Sequence, residues 1–160
     1  MVNTVQDGIM AIEPTEIRPD VLIYPASATT RDRRILECVC FVERKNFSKV
    51  FLYKSPEETP GVQWIAADQI ESVLESTARL PARFANQIYQ AGEAGMGYYL
   101  FTLAFPFFLR RTYVVSGIVD FLYYPLWFKP GDVRAVVGSY GRARRRARPR
   151  PMPEVNWCVF

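Results

Sequence analysis

The chain has 160 residues, of which 49% are apolar and 14% aromatic, enough for a self-supporting core and too apolar for a chain that stays unfolded. It carries no histidine and only three cysteines, which excludes Ser–His and Cys–His nucleophile pairs, imidazole zinc sites and a disulfide framework. The formal charge of +4 is gathered in one place: residues 142–150 hold six arginines and no acid, and without them the remainder of the chain is −2.

Arginine outnumbers lysine 16 to 4. A high-GC genome produces that bias by itself, so the weight falls on the clustering of the arginines and not on their number. Cys38 and Cys40 stand in an apolar run, where alternation puts both on one face of a strand as small hydrophobes. This usage fits a reducing, cytoplasmic compartment. The first ten residues lack the basic-then-apolar order of a signal peptide, and Cys158 is not followed by enough residues for a prenylation box.

In chain order, residues 1–20 are polar and hold Pro14 and Pro19, which predicts an extended leader or edge element. Val21 to Tyr24 is a short strand stopped by Pro25. Residues 35–43 and 49–54, joined by the polar run Arg44-Lys45-Asn46-Phe47-Ser48, read as a β-hairpin with a basic loop. The Pro-containing stretch 55–61 is a break and a candidate hinge. Asp68 with Glu71 three residues on resembles a capping box, and Ile70, Val73 and Leu74 recur at helical spacing. Pro81 suits a first helical position, Phe84, Ile88 and Tyr89 continue the period, and Gly92 supplies a stop. Two short helices, or one kinked helix, are expected over 66–91.

Strands follow at 98–105, 111–115, 118–124 and 133–137. Residues 141–160 form a basic arm that ends in an apolar hook, Trp157 to Phe160. The expected fold is therefore α+β: one domain over 21–140 with a mostly antiparallel sheet in strands–helix–strands order, one or two short helices, and an irregular Arg-rich C-terminal segment.

Three features resemble sites and have plainer readings. Gly92, Gly95 and Gly97 follow a helix and precede a strand, the reverse of a dinucleotide fingerprint, so they read as a helix stop and tight turn. Glu71 and Glu75, one turn apart on the expected helix, read as a solvated face. The apolar stretch 98–128 is cut by Arg110, Arg111 and Asp120 and by Pro106 and Pro125. Each charge costs about 3 kcal/mol at the centre of a membrane helix, so no transmembrane span is expected. If the chain meets a membrane, the Pro106-Phe107-Phe108-Leu109 tip is the expected anchor.

No catalytic, cofactor-binding or metal-ligating residue is expected. The candidate partner-binding residues are Arg142, Arg144, Arg145, Arg146, Arg148 and Arg150 of the arm, with Phe107, Phe108, Trp127 and Phe128 as an exposed aromatic patch. Asp120, alone in an apolar strand, either faces solvent, pairs with Arg110 or Arg111, or marks a ligand site. These features predict a non-catalytic interaction or accessory protein that meets a protein partner, or a second copy of itself, through the aromatic hairpin, the arm or both. The alternatives are a non-specific nucleic-acid-binding protein using the arm and a histidine-free ligand-binding protein or enzyme centred on Asp120.

Overall fold

A computed structural model of the chain describes residues 4–160, which divide into two compact units. The first comprises residues up to Arg79 together with Glu154–Phe160; the second is Leu80–Pro153. The fold is α+β with mostly antiparallel pairing. Among the described residues, both parallel pairings involve the last strand.

The first unit begins with helix α1 (Val5–Met10), capped by Thr4, whose hydroxyl accepts from the Asp7 amide while the Asp7 carboxylate accepts from the Thr4 amide. Strands β1 (Thr15–Arg18), β2 (Val21–Thr30) and β3 (Ile35–Val42) follow as antiparallel neighbours. Where the sequence predicts an extended leader or edge element, residues 5–18 form a helix and then β1, an edge strand of the sheet; residues 1–3 lie outside the described residues. β2 also does not stop at Pro25. That residue falls between Ile23, paired with β1, and Ser27, paired with β5 (Ile70–Leu74), a position where a missing N–H is tolerated.

Two further expectations are corrected here. The hairpin over 35–54 does not form: a 3₁₀ turn at Arg44–Asn46 leads into helix α2 (Phe47–Phe51), and β3 pairs with β2 instead. Residues 70–74, expected in a helix capped by Asp68, are strand β5. The register of β5 on β2 shifts between Thr29 and Thr30, so Val73 lies opposite Ala28 and Ile70 opposite Thr30. This irregularity lets two residues three apart both be buried, a spacing that in sequence imitates a helix.

β9 (Asn156–Val159) enters this sheet in parallel beside β3 and carries the short β4 (Gln63–Trp64) on its other edge. Trp157 and Cys158 are buried by it, so the apolar hook is a sheet strand. The core gathers Ile9, Tyr24, Val39, Phe41, Ile70, Val73 and Cys158.

The second unit is built on helix α3 (Ala82–Ala91) and the antiparallel sheet β7 (Arg110–Val115), β6 (Tyr99–Ala104), β8 (Ala135–Val137). Helical spacing puts Phe84, Ala85, Ile88 and Tyr89 on the buried side of α3, and alternation puts Phe101 and Leu103 of β6 and Tyr113 and Val115 of β7 on the buried side of the sheet. Gly92 ends α3 at φ 82°, a left-handed conformation that glycine adopts without strain. Residues 118–124, expected as a strand, form an irregular segment that buries Val119, Asp120, Phe121 and Leu122. The Arg-rich segment, expected to be irregular, contains helix α4 (Gly141–Arg146).

Burial has a measurable consequence in the first unit. Desolvation of the thiolate pushes the Cys38 thiol up to about 11 and the Cys158 thiol up to about 12. A raised thiol pKa means both remain protonated at pH 8, where thiolate is the reactive form. Native protein is expected to react slowly with a disulfide reagent at pH 8 and to release all three thiols at once in guanidinium; fast native labelling of Cys158 would contradict the β9 packing.

Candidate functional site

The second unit concentrates positive charge. Its 74 residues hold eleven basic side chains against three acidic ones, a formal +8, whereas the first unit holds nine against thirteen, or −4. The three acids of the second unit are engaged in its fold. Asp132 accepts from the Lys129 amide, Glu93 accepts from the Gly97 amide, and Asp120 is buried.

The arm lies against the outer face of the sheet. The cross-strand pair Leu100 and Val114, with Tyr98 and Ser116, lines a cavity of about 390 Å³ whose other wall is Arg144, Ala147 and Pro149. The attachment begins at Ser139, whose hydroxyl lies 2.7 Å from that of Thr102; Thr102 in turn contacts Thr112 across the β6–β7 pair at 2.7 Å. This hydroxyl cluster is what a β-strand surface offers a polar segment, and it explains how Thr102 is accommodated while buried.

Beside it, a cavity of about 670 Å³ opens between β7 and the arm, lined by Arg110, Arg111 and Thr112 on one side and Arg146, Arg148 and Arg150 on the other. No carboxylate lines it. Arg142 and Arg145 share a further hollow with Arg146 on the same segment. The six arginines picked out by the sequence are thus joined by Arg110 and Arg111, which in sequence interrupt an apolar stretch and offer themselves as partners for Asp120. Sequence adjacency to Phe108 hid their role; the hairpin register that carries β7 under the arm reveals it. Like charges so placed repel one another by about 1 kcal/mol per close pair even in water, and an anion entering the cavity relieves that repulsion.

The four aromatic candidates fall into two turns with a common base. Phe105, which closes the β6–β7 hairpin by donating its amide to the Leu109 carbonyl at 2.8 Å, stacks on Phe128 at 5.3 Å between ring centroids. Phe128 closes the turn Pro125–Phe128 by donating its amide to the Pro125 carbonyl at 3.1 Å. Phe128 is therefore half-buried as a support, not a free surface residue. From these bases Phe107 and Phe108 project 85% and 101% exposed, with Leu126 and Trp127 at 71% and 74%.

The tips are also strained. Phe107 and Phe108 both have φ 60°, and Leu126 has φ 53°. Consecutive positive φ values with a Leu109 amide to Pro106 carbonyl bond are the pattern of a type I′ turn, which normally takes Asn-Gly. A bulky residue held there costs on the order of 1–3 kcal/mol. Neither Phe recovers that cost by burial within the unit.

Asp120 is completely buried, which removes the solvent-facing one of the three readings open to it from the sequence. Its carboxylate accepts from the Tyr89 hydroxyl at 2.9 Å, and that hydroxyl accepts from the Val119 amide. The Asp120 carbonyl accepts from the Leu80 amide at 2.7 Å. These bonds tie the irregular segment 118–124 to α3. Among the described residues, no group of three or more His, Cys, Asp or Glu is placed to hold a metal ion, and no helix is long and apolar enough to cross a membrane.

Comparison of the chain with protein-family models, with curated proteins and with solved structures finds no match in any of the three.

Two predictions follow from this geometry. Phe107→Asn with Phe108→Gly places the preferred type I′ pair at the tip, and its unfolding free energy is expected to rise by about 1–3 kcal/mol; a loss of stability in chemical denaturation would show that the Phe side chains support the fold. Burial pushes the Tyr113 hydroxyl up to about 12, against the opposing pull of Arg111 and Arg150. A hydroxyl raised in the folded state stabilises the fold below its ordinary value of 10 and loses that contribution as pH rises through 12. An ultraviolet titration should show a late tyrosine component that Tyr113→Phe removes and Arg150→Gln moves still higher.

Proposed function

We propose that this chain is a non-catalytic interaction protein that engages a polyanionic partner through its second unit. The observation that supports this reading is the Arg-lined cavity between β7 and the arm, with five guanidinium groups and no carboxylate among its lining residues. Guanidinium presents a planar fork that matches phosphate and carboxylate oxygens, and a cluster of them binds through charge with little regard for sequence. The fully buried Asp120, bonded to Tyr89, behaves as a fold anchor and not as a general base open to substrate.

Because each Arg–anion contact displaces counterions, affinity for a generic polyanion should fall steeply with salt. Binding of poly(dT) and of polyphosphate, measured by anisotropy or competition across a salt series, is expected to show that slope in the intact protein. Replacing the six arginines of 142–150 by Gln should flatten the slope and weaken binding by roughly a hundredfold or more at low salt. An unchanged slope in the variant, or no binding by the intact protein, removes the proposal.

A further inference from the structure

Resting on the polyanion reading, we infer that the partner is the anionic surface of a phospholipid bilayer, and that Phe107 and Phe108, with Leu126 and Trp127, form a wedge that enters its interfacial layer. Three observations carry this. First, the two Phe side chains stand almost wholly outside the unit at the end of a hairpin, and Leu126 and Trp127 project from a turn that shares the Phe105–Phe128 base. Protruding apolar tips suit a soft apolar phase, whereas docking on a folded partner would require two matching pockets. Leu126 has no π face on which a base could stack, so the set as a whole departs from a single-strand stacking platform.

Second, the cations sit directly behind the wedge. Arg110 and Arg111 follow the hairpin tip after one residue and line the same cavity as Arg146, Arg148 and Arg150. A tip buried by a few ångströms leaves guanidinium groups at the depth of phosphates and carboxylates of headgroups, where each contributes about as much as any basic residue at an anionic leaflet. Trp127 is of the type that concentrates at this depth.

Third, the backbone strain has no return within the chain. Phe107 and Phe108 hold positive φ values that Asn-Gly would satisfy without strain, yet their side chains touch little of their own unit. Strain of this kind marks a surface kept for something outside the fold. An apolar phase supplies the missing burial for both rings at once.

The test uses the full chain and vesicles of phosphatidylcholine with or without roughly 30 mol% phosphatidylserine. The intact protein is expected to float with the anionic vesicles and not with the neutral ones. Brominated lipids should quench the fluorescence of Trp127, with Trp127→Phe as the control. Phe107→Asn with Phe108→Gly keeps every arginine and relieves the turn, so a higher melting midpoint will certify its fold. That variant should lose vesicle binding by roughly tenfold or more while binding poly(dT) as before. Absence of vesicle binding, or vesicle binding that the tip variant retains in full, overturns the wedge. If poly(dT) still binds with a steep salt slope in either case, the polyanion reading survives alone and a nucleic acid becomes its partner. If neither vesicles nor poly(dT) bind, both readings fall.

Discussion

The Tyr89 hydroxyl is the joint on which the second unit is hung. It donates to the buried Asp120 carboxylate and accepts from the Val119 amide, and the Asp120 carbonyl takes the Leu80 amide at the foot of α3. A carboxylate removed from water is costly unless its oxygens are bonded, so these partners are a condition of the fold. The segment they hold has a strand-forming composition yet runs as irregular chain, tied by its polar groups to Tyr89 of α3 and to Leu80. The Tyr113 hydroxyl adds a bond to the Tyr123 carbonyl further along. Only then does the chain reach Pro125, Leu126 and Trp127. The exposed turn is thus presented by a chain with little regular structure of its own but a dense set of buried bonds.

Around that joint, the second unit spends its polar and apolar surfaces differently. The inner face of the β6–β7 pair packs Phe101 against Tyr113 at 5.4 Å between ring centroids, an ordinary core contact. The outer face would be a half-apolar sheet open to water, and the arm covers part of it through Ser139, Ala147 and Pro149. Covering the sheet with an arginine-rich segment sets its cations beside Arg110 and Arg111 of the edge strand. Charged edges also discourage a second sheet from adding to β7. The same residues therefore protect an edge and line a cavity with no carboxylate in its wall.

The tips hold a backbone conformation at odds with their residues. Nothing in the second unit requires Phe at 107 and 108: the hairpin closes through backbone bonds at Phe105 and Leu109, and the Phe105–Phe128 stack below is complete without them. A turn optimised for folding would carry residues at ease with positive φ. Conflict between local propensity and observed backbone is the kind of inconsistency that folded chains tolerate at working surfaces and rarely elsewhere.

Much of this was legible in the sequence, and the remainder was hidden for identifiable reasons. The missing histidines, the helix stop at Gly92, the segregated arginines and the aromatic tip are properties of single residues or short runs, and they stand in the structure where composition and spacing put them. The strand at 70–74 was not legible, because a register shift against Thr29 and Thr30 gave Ile70 and Val73 the spacing of a helix. Nor was the parallel entry of Trp157 and Cys158 beside β3, a pairing over more than a hundred residues of chain. Arg110 and Arg111 looked like breaks in an apolar run until the arm was laid against their strand. By itself the sequence determined which side chains carry charge and which carry apolar area. Only the tertiary structure decided which of them share a surface, because burial of Asp120, coverage of the outer sheet face and the insertion of β9 all depend on contacts between residues far apart in the chain.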